Sequence, residues 1–333
     1  MKYINKKLSI EKVAIDSIAK KFKTPSYCYS SKQLRENIVN FKKNFQSFSP
    51  LICFSTKSNT NINLIKEISK FGFGADVVSI GELMMAIKAG VKPKKIVFSG
   101  VGKTSGEINY AIEKNILLIN AESKSEIEEI DRIAKIKNKK VHVGIRLNPN
   151  TDAKTLSQIS TGKKENKFGV NEKTFCELVE YCKNSKNITL KCLSVHIGSQ
   201  ILDYKPYEKM LKIINKIINK VNYKFDFIDL GGGMGISYEN KNQKLDYKKY
   251  NIAIKKFLKN HKSKIIFEPG RSIIGNTGIL ISKIIYIKKS ERKNFVIIDA
   301  AMNDLIRPAL YGATHKILPS VKRNFKSNKT YEI

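Results

Sequence analysis

The sequence predicts a (β/α)8 TIM barrel, and three observations lead to that prediction. Short apolar runs rich in β-branched residues recur along the chain at about the spacing of a strand–helix unit. Segments between them repeat apolar residues with helical spacing. No Gly-x-Gly-x-x-Gly motif follows the first run, which disfavours the alternative, an open doubly wound sheet.

The candidate strands extend over most of the chain. They are residues 51–56, 74–78, 96–99, 117–120, 141–147, 191–196, 226–230 and 264–268. Three intervening segments have a clear apolar stripe and predict helices: Thr60 to Phe71, Ser79 to Ala89 and Ser123 to Ile136. A chain of 333 residues, 41% of them hydrophobic, can build such a barrel and a further small domain.

The segments that flank the barrel predict a second domain. Ile10 to Phe22 is helix-like, and the pattern becomes β-rich after Arg271, in residues 278–287 and 295–299. Such a small β domain would leave apolar strand edges unpaired. The expected regions are an N-terminal segment over 1–25 that packs on the β domain, a barrel over 26–272, and an incomplete C-terminal β domain over 273–333.

The charge of the chain does not by itself indicate a polyanion partner. The formal net charge is +33, but lysines occur in every segment and tryptophan is absent. A nucleic-acid surface clusters its basic residues and interleaves aromatic ones for stacking. We therefore expect no nucleic-acid partner.

The five cysteines form no Cys-x-x-Cys pair, so we expect neither a disulfide framework nor a metal site. No apolar stretch approaches the length of a membrane span. These features predict a cytoplasmic protein without a membrane partner.

Polar residues cluster where the predicted strands end, which is where (β/α)8 barrels carry their active sites. They are Lys57 after the first run, Asp76 in the second, Arg146 and Asn148 at the fifth, His196 to Ser199 at the sixth, Gly231 to Gly233 after the seventh and Glu268 to Arg271 at the eighth.

Lys57 follows the first apolar run directly. We expect burial to disfavour its charged form and to make its amine a nucleophile. A covalent link to an aldehyde cofactor needs such an amine. A solvated surface charge is the alternative, and the other strand ends favour the chemical interpretation.

Two further strand ends suggest a bound phosphate and ring. In Asp229-Leu-Gly-Gly-Gly233, glycines allow backbone N–H groups to approach phosphate oxygens, and loops after the seventh and eighth barrel strands often bind phosphate. In Glu268-Pro-Gly-Arg271, the glutamate can hold a protonated ring nitrogen, while Gly270 and Arg271 can meet an anion. A turn with a solvated ion pair is the alternative.

His196 and Arg307 leave two interpretations open. His196 either belongs to the core or surface, or stacks on a cofactor ring. Arg307 is one of few arginines in a lysine-rich chain and precedes Tyr311 by four residues. Its planar fork could bind a substrate carboxylate through two hydrogen bonds, or it could lie in an ordinary turn.

A set of motifs covers nearly the whole chain. They are Phe54-Ser-Thr-Lys57-Ser-Asn59, Gly74-Ala-Asp76-Val-Val-Ser-Ile-Gly-Glu82, Arg146-Leu-Asn-Pro-Asn150, Ile159-Ser-Thr-Gly162, Lys164-Glu-Asn-Lys-Phe-Gly169, His196-Ile-Gly-Ser-Gln200, Asp229-Leu-Gly-Gly-Gly233, Glu268-Pro-Gly-Arg271 and Arg307-Pro-Ala-Leu-Tyr311. In type and order they resemble diaminopimelate decarboxylases, which belong to the alanine-racemase-like (fold-type III) enzymes that use pyridoxal 5′-phosphate (PLP).

The resemblance implies a role for each site residue. Lys57 would form the covalent link to PLP, Asp76 would support the cofactor and His196 would stack on its ring. The phosphate would be held by Ser199, Gly231, Gly232 and Gly233, with help from the Pro269-Gly270-Arg271 backbone. Glu268 would pair with the pyridine nitrogen. Arg271, Arg307 and Tyr311 would contact the substrate.

The resemblance also implies an activity: PLP-dependent decarboxylation of meso-2,6-diaminopimelate to L-lysine, the last step of lysine biosynthesis, by a homodimer with shared active sites. One alternative is a decarboxylase of another basic amino acid, of the ornithine or arginine type. The other is an inactive fragment that binds PLP.

The chain departs from the family pattern in two places. Family members often have a histidine near Thr155–Gln158, and this chain has none. The family also continues beyond Tyr331-Glu-Ile333 into a Cys-Glu-Ser motif and a later tyrosine. We therefore expect a C-terminally truncated enzyme.

Overall fold

The computed structural model describes residues 1–151, 162, 167–238, 244–322 and 331–333. Its contacts divide the chain into two compact units. The barrel unit comprises Glu36–Ile236 and Gln243–Gly275, and the β unit comprises Met1–Arg35, Ser237–Asn242 and Asn276–Ile333.

The described residues contain strands and helices in regular alternation along the barrel unit. The strands are β1 (Lys2–Ile4), β2 (Lys7–Ile10), β3 (Val13–Ala14), β4 (Ser26–Tyr29), β5 (Leu51–Ser55), β6 (Gly74–Val77), β7 (Ile96–Phe98), β8 (Leu118–Ala121), β9 (Val141–Arg146), β10 (Ile188–Ser194), β11 (Phe227–Asp229), β12 (Lys264–Phe267), β13 (Gly278–Ile281), β14 (Ile284–Lys289) and β15 (Asn294–Ile298). The helices are α1 (Ile15–Phe22), α2 (Ser31–Phe45), α3 (Ile62–Ser69), α4 (Ile80–Lys88), α5 (Ser105–Glu113), α6 (Lys124–Ile136), α7 (Glu172–Asn184), α8 (Lys205–Val221), α9 (Tyr247–Leu258), α10 (Arg271–Ile274) and α11 (Arg307–Tyr311).

The barrel unit is a closed barrel of the eight strands β5 to β12, which confirms the predicted fold class. Each strand pairs in parallel with the next, and β12 pairs with β5, with Ile266 opposite Leu51. Every candidate strand from the sequence is one of these strands. All their carboxyl ends therefore lie at one end of the barrel.

The barrel strands form because their side chains are buried on both faces. Helices cover the outside of a parallel barrel, so its strands are continuous apolar runs. Ile96, Val97 and Phe98, which make up β7, are all fully buried. Inside the barrel an apolar cluster packs Val97 with side chains from other strands, namely Cys53, Leu118, Cys192 and Ile266.

Side-chain caps fix where the chain turns from a strand end into the next helix. Ser79, Ser123 and Asn171 each accept a hydrogen bond from a backbone N–H in the first turn of α4, α6 and α7. Thr104 and Glu107 begin α5 with a reciprocal capping box. The starts at Ser79 and Ser123 agree with two of the three predicted helices.

In the described part of the β unit, strands pair in three small antiparallel groups: β1–β2–β3, β4–β13 and β14–β15. Leu8, Ile10, Ile15 and Ile281 form its apolar core. The helix-like stretch from Ile10 to Phe22 becomes helical only at Ile15, because Ile10 ends β2 and Val13–Ala14 form β3. β4, which the sequence assigns to the barrel region, pairs with β13 in this unit.

Within the residues that the structure describes, no helix combines the length and the apolar character needed to cross a membrane.

The burial of α6 against the barrel leads to a stability prediction. Ile130 is fully buried, whereas Ile136 in the same helix is 67% exposed. Ile130→Ala should lower the free energy of unfolding by about 2–5 kcal/mol, because it removes buried methyl groups and leaves a cavity. Ile136→Ala, the matched control, should change it by no more than about 0.5 kcal/mol. Urea unfolding of both variants measures the difference, and equal losses would contradict the packing of α6.

Candidate active site

The closed barrel brings the predicted strand-end residues to one rim. Lys57 lies in a 3-10 turn, Thr56–Ser58, directly after β5. Neighbouring strand ends also touch through the backbone: Ser55 N donates to Pro269 O at 3.2 Å, and Glu268 N donates to Gly231 O at 2.8 Å. The lysine, the glycine loop and the glutamate motif are therefore neighbours in space although they are far apart in sequence.

Lys57, just after β5, forms an ion pair with Asp76 in the neighbouring strand β6. Lys57 Nζ lies 2.9 Å from Asp76 Oδ2, and Ser55 Oγ donates to the same oxygen at 2.8 Å. The Lys57 side chain is 49% exposed and Asp76 is fully buried. The expectation that Lys57 itself would be buried is therefore wrong: only its partner is.

The expected direction of the Lys57 pKa is also wrong. Desolvation at the rim acts to lower the pKa of Lys57, but the charge and hydrogen bond of the Asp76 carboxylate act in the opposite direction, and the pKa is raised. The lysine is thus held as an ammonium in the protein as described. Its amine becomes a nucleophile only after it loses a proton.

Glu82, to which sequence analysis gave no role, supports the Lys57 turn. Thr56 Oγ1 lies 2.6 Å from Glu82 Oε2 and 2.8 Å from the carbonyl oxygen of Asp76. Glu82 Oε2 also accepts a hydrogen bond from Val78 N at 2.9 Å. Glu82 therefore joins the ends of β5 and β6 just behind the lysine.

Two buried carboxyl groups, Glu268 and Asp229, lie in contact inside the rim. They are hydrogen-bonded to each other, and Asp229 also accepts a hydrogen bond from Gly231 N at 2.9 Å. Burial raises the pKa of Asp229 to about 6. Burial, and then the charge of Asp229, raises the pKa of Glu268 well above the usual range of a glutamate.

His196 follows β10 and faces the glycine loop. Its Nδ1 accepts a hydrogen bond from Gly232 N at 3.2 Å, which leaves the proton of a neutral ring on Nε2. Desolvation, with Arg146 and Lys57 nearby, lowers the pKa of His196 well below its usual value. The ring is therefore neutral at neutral pH.

The glycine loop after β11 leaves no room for side chains. A Cβ on Gly232 would lie 2.1 Å from the carbonyl oxygen of Glu268, and one on Gly233 would lie 2.3 Å from that of Gly198. Gly233 also has a φ of +87°, which favours glycine. The N–H groups of Gly231 and Gly232 donate to Asp229 and His196, so these two contacts fix the shape of the loop.

The remaining predicted rim residues lie beside this loop. Arg271 Nη2 donates to Ser199 Oγ at 3.3 Å, which links the ends of β12 and β10. Gly270 lies against the side chain of Ser58 in the Lys57 turn, because a Cβ there would lie 3.0 Å from Ser58 Cβ. Ser199, Gly270 and Arg271 thus all belong to the same rim as Lys57.

Arg307 and Tyr311 lie in the β unit, where they begin and end α11. The Arg307 guanidinium stacks over the ring of Tyr238, with 4.6 Å between Cζ and the ring centroid. Arg307 Nη1 lies 3.2 Å from His315 Nε2. Desolvation and the Arg307 charge lower the pKa of His315, so a neutral ring accepts this hydrogen bond.

A buried ionic network that sequence analysis missed lies behind the rim. Glu122 accepts hydrogen bonds from Arg146 Nη1 at 3.0 Å, Gly100 N at 2.9 Å and Gly169 N at 3.1 Å. Lys103 Nζ, which is almost fully buried, donates to Glu126 at 2.6 Å. A charged residue next to an apolar run, such as Glu122 after Leu118–Ala121, is the signal that could have revealed it.

The motif residues at 159–161 and 164–166, and the Thr155–Gln158 position of the missing histidine, lie outside the described residues.

Comparisons with known proteins identify the family of this chain. A family model described as "Pyridoxal-dependent decarboxylase, pyridoxal binding domain" matches residues 31–275. A diaminopimelate decarboxylase from Aquifex aeolicus is 41% identical over 323 residues, which cover 96% of this chain and 76% of that protein. The chain belongs to the diaminopimelate decarboxylase family.

Solved structures from the diaminopimelate decarboxylase family share the fold. The Helicobacter pylori enzyme complexed with L-lysine is 42% identical with a TM-score of 0.87, and the match covers 90% of this chain and 76% of that one. The M. jannaschii enzyme, also complexed with L-lysine, is 32% identical with a TM-score of 0.92, covering 99% and 80%.

The cofactor of this chain is PLP, in agreement with its family, and the rim fits such a group. The glycines let the loop lie flat against neighbouring backbone, where side chains would fill the space. Asp76 Oδ1 is buried and has no hydrogen-bond partner among the described residues, so the rim can still accept a polar contact there. Lys57 supplies the amine that an aldehyde requires.

Because the glycine loop is tightly packed, adding one methyl group at Gly232 should weaken the binding of PLP. Gly232→Ala should weaken PLP binding at least about tenfold, the factor carried by one hydrogen bond to a charged group, because the new Cβ displaces the Glu268 backbone. Gly106→Ala in α5 is the control, since a Cβ at Gly106 meets nothing within 4 Å. Fluorescence titration of cofactor-free protein gives both affinities. Unchanged binding by Gly232→Ala would contradict the described loop.

Proposed function

We propose that the rim residues of the barrel unit hold PLP and that the chain uses it to decarboxylate meso-2,6-diaminopimelate to L-lysine and CO2. The observation that carries the proposal is the placement of Lys57, His196, the glycine loop and Glu268 on one rim, in a chain 41% identical to a diaminopimelate decarboxylase. The chemistry that the bound cofactor supplies is acceptance of the electron pair left when carbon dioxide leaves.

Lys57 carries the cofactor, and Asp76 holds the Lys57 amine in position. The 2.9 Å contact holds the lysine amine at a fixed point of the rim. Asp76 also keeps this amine protonated, so loading requires that Lys57 first loses its proton. Once the substrate amine has replaced the Lys57 amine on the cofactor, the Asp76 carboxylate can hold the released, protonated lysine beside the reacting atoms.

The other rim residues fix the position of the cofactor ring and phosphate. Glu268 would hold the ring nitrogen, and the ring of neutral His196 would stack on the cofactor ring. Ser199, the loop Gly231 to Gly233 and the backbone of Gly270–Arg271 would bind the phosphate. The hydrogen bonds from Gly231 N to Asp229 and from Gly232 N to His196 fix the shape of that loop. Pro269 keeps this turn against β5 through its carbonyl contact with Ser55 N.

Arg271, Arg307 and Tyr311 bind the substrate. An arginine suits the distal carboxylate of diaminopimelate and repels the distal ammonium of ornithine or lysine. Tyr238 and His315 support the Arg307 guanidinium at 4.6 Å and 3.2 Å. This favours diaminopimelate over the substrates of ornithine-type decarboxylases.

The finer parts of the proposal follow from the family resemblance. We include a homodimer with shared active sites, a cytoplasmic location and a role in lysine biosynthesis. Sedimentation of the cofactor-loaded protein tests the dimer, and a monomer at assay concentrations would contradict it.

Borohydride reduction of the PLP-loaded protein should fix the label at Lys57. The loading rate should rise with pH, because the Lys57 pKa is raised and only the neutral amine attacks. Asp76→Asn removes the nearest negative charge, lowers the pKa of Lys57 and should move the profile to lower pH. Peptide mapping and the visible absorption of the loaded protein measure site and rate.

Lys70→Ala provides the matched control, because Lys70 is also an ion-paired lysine, 2.8 Å from Glu67. Borohydride should attach PLP to Lys57 in the Lys70→Ala variant as in the wild type, whereas the Lys57→Ala variant should retain no PLP label. Label on another lysine would overturn the assignment of Lys57.

Arg307→Lys should weaken diaminopimelate binding by about 1–3 kcal/mol, because lysine cannot reproduce two hydrogen bonds to one carboxylate. Binding of L-lysine, which lacks that carboxylate, should change much less. Calorimetric titration of the loaded protein compares the two ligands.

Arg132→Lys is the control for this substitution. Arg132 binds Glu129 through two 2.7 Å contacts on the exposed side of α6, so its replacement should leave both affinities unchanged. Equal losses for diaminopimelate and lysine in Arg307→Lys would count against the distal carboxylate contact.

A further inference from the structure

Asp229 is a point where several parts of the barrel meet. It is the last residue of β11 and is fully buried. Its carboxylate accepts hydrogen bonds from Gly231 N at 2.9 Å, Asn120 Nδ2 at 3.2 Å and Ser194 Oγ at 3.2 Å. These donors come from the glycine loop, β8 and β10, so Asp229 is well satisfied as an anion.

Glu268 occupies the adjacent strand end, and among the described residues its carboxyl group has no comparable set of donors. The backbone N–H of Glu268 donates to Gly231 O at 2.8 Å. Glu268 and Asp229 therefore lie side by side at the ends of the neighbouring strands β12 and β11. Ser99 Oγ is 3.5 Å from Glu268 Oε1, a long contact, and the Glu268 carboxyl is hydrogen-bonded to Asp229. Two buried carboxyl groups in contact cannot both be ionised, so the pair holds one proton. Asp229, whose carboxylate already accepts three hydrogen bonds, is the anion, and Glu268 carries the proton and donates it.

We propose that Asp229 is a positioning residue that keeps a proton on Glu268 and aims it at the place of the cofactor's ring nitrogen. This inference rests on the proposed function, and it assigns Asp229 a role beyond the shape of the glycine loop. Asp229 touches neither the reacting atoms nor the substrate and acts through Glu268.

The proton balance of the step is simple. When a ring nitrogen without a proton enters the rim, the Glu268 O–H bond breaks and a ring N–H bond forms. Glu268 becomes a carboxylate that accepts a hydrogen bond from the new N–H. The pair gains one negative charge and the ring gains one positive charge, so no proton has to come from water.

Other ionisable groups face the pair from the neighbouring strands. Asp76 adds negative charge and Lys57 adds positive charge, and these two are paired with each other at 2.9 Å. The thiols of Cys53 and Cys192 and the phenol of Tyr250 also lie near, and burial raises the pKa of each well above its usual value. They stay neutral, so Asp229 is the anion that controls the Glu268 proton.

The first test needs no change to Asp229. The infrared spectrum of cofactor-free wild-type protein at neutral pH should contain the C=O band of a protonated buried carboxyl group, and Glu268→Gln should remove it. PLP should abolish the band in the wild type. The analogue in which carbon replaces the ring nitrogen should leave it in place. A band that survives Glu268→Gln, or that PLP does not change, would overturn the proposal.

The second test compares affinities for PLP and the carbon analogue. Asp229→Asn removes the charge that makes Glu268 a strong base, so the preference of the protein for PLP should fall about tenfold or more, the factor of one charge-assisted hydrogen bond. In the Glu268→Gln background, Asp229→Asn should not change the preference further. Equal loss for both ligands would mean a purely structural role and would overturn the proposal.

Asp131→Asn is the matched control for the substitution. Asp131 in α6 also accepts three hydrogen bonds, from Tyr181, Ser185 and Asn187, but lies away from the rim. It should lose stability and keep the preference for PLP. If Asp229→Asn does not fold, the infrared test on the wild type decides. PLP and the carbon analogue both carry the aldehyde, so borohydride should attach either of them to Lys57. Absence of this labelling would count against the proposed function, independently of the role of Asp229.

Discussion

The pairing of β12 with β5 is the contact on which the site depends. It closes the barrel through two register pairs, Ile266 opposite Leu51 and Phe267 opposite Ile52. This closure brings the first strand end of the barrel beside the last, so that Lys57 and Glu268 share one rim. Phe267 is fully buried and lies within 4.6 Å of Phe45, centroid to centroid, in an aromatic cluster with Phe41 and Tyr250. Aromatic packing behind the seam thus stabilises the arrangement on which the chemistry relies.

The rim gathers charges that would repel one another elsewhere. Asp76, Asp229 and Glu268 are buried within one barrel, and Lys57 is the cation nearest to Asp76. Each carboxyl group has a different solution: an ion pair for Asp76, three donors for Asp229 and a bound proton for Glu268. Such groups cost stability when buried, but they place a proton donor and carboxylates at the rim before a ligand arrives. The raised pKa values of Asp229 and Glu268 mark where the barrel gives up stability for function.

A second layer of polar contacts holds the rim in place. Glu122 ties Arg146 to the backbone of Gly100 and Gly169, and Lys103 joins Glu126 at 2.6 Å. Buried ion pairs add little net stability, but they specify one arrangement of the loops, because removal of one partner leaves an unpaired charge. Arg146 also lies near His196 and helps to keep that ring neutral. Its effect on the site is therefore electrostatic as well as structural.

The sequence by itself determined the barrel and most of its rim. Continuous apolar runs identify strands buried on both faces, and the residues that end those runs must lie together once parallel strands close. It could not determine how those residues affect one another. The raised pKa of Lys57, the shared proton of Asp229 and Glu268, and the pairing of β4 with β13 all depend on contacts between residues far apart in the chain. A pKa is set by the charges, donors and solvent within a few ångströms, and only the closed tertiary structure decides which groups those are.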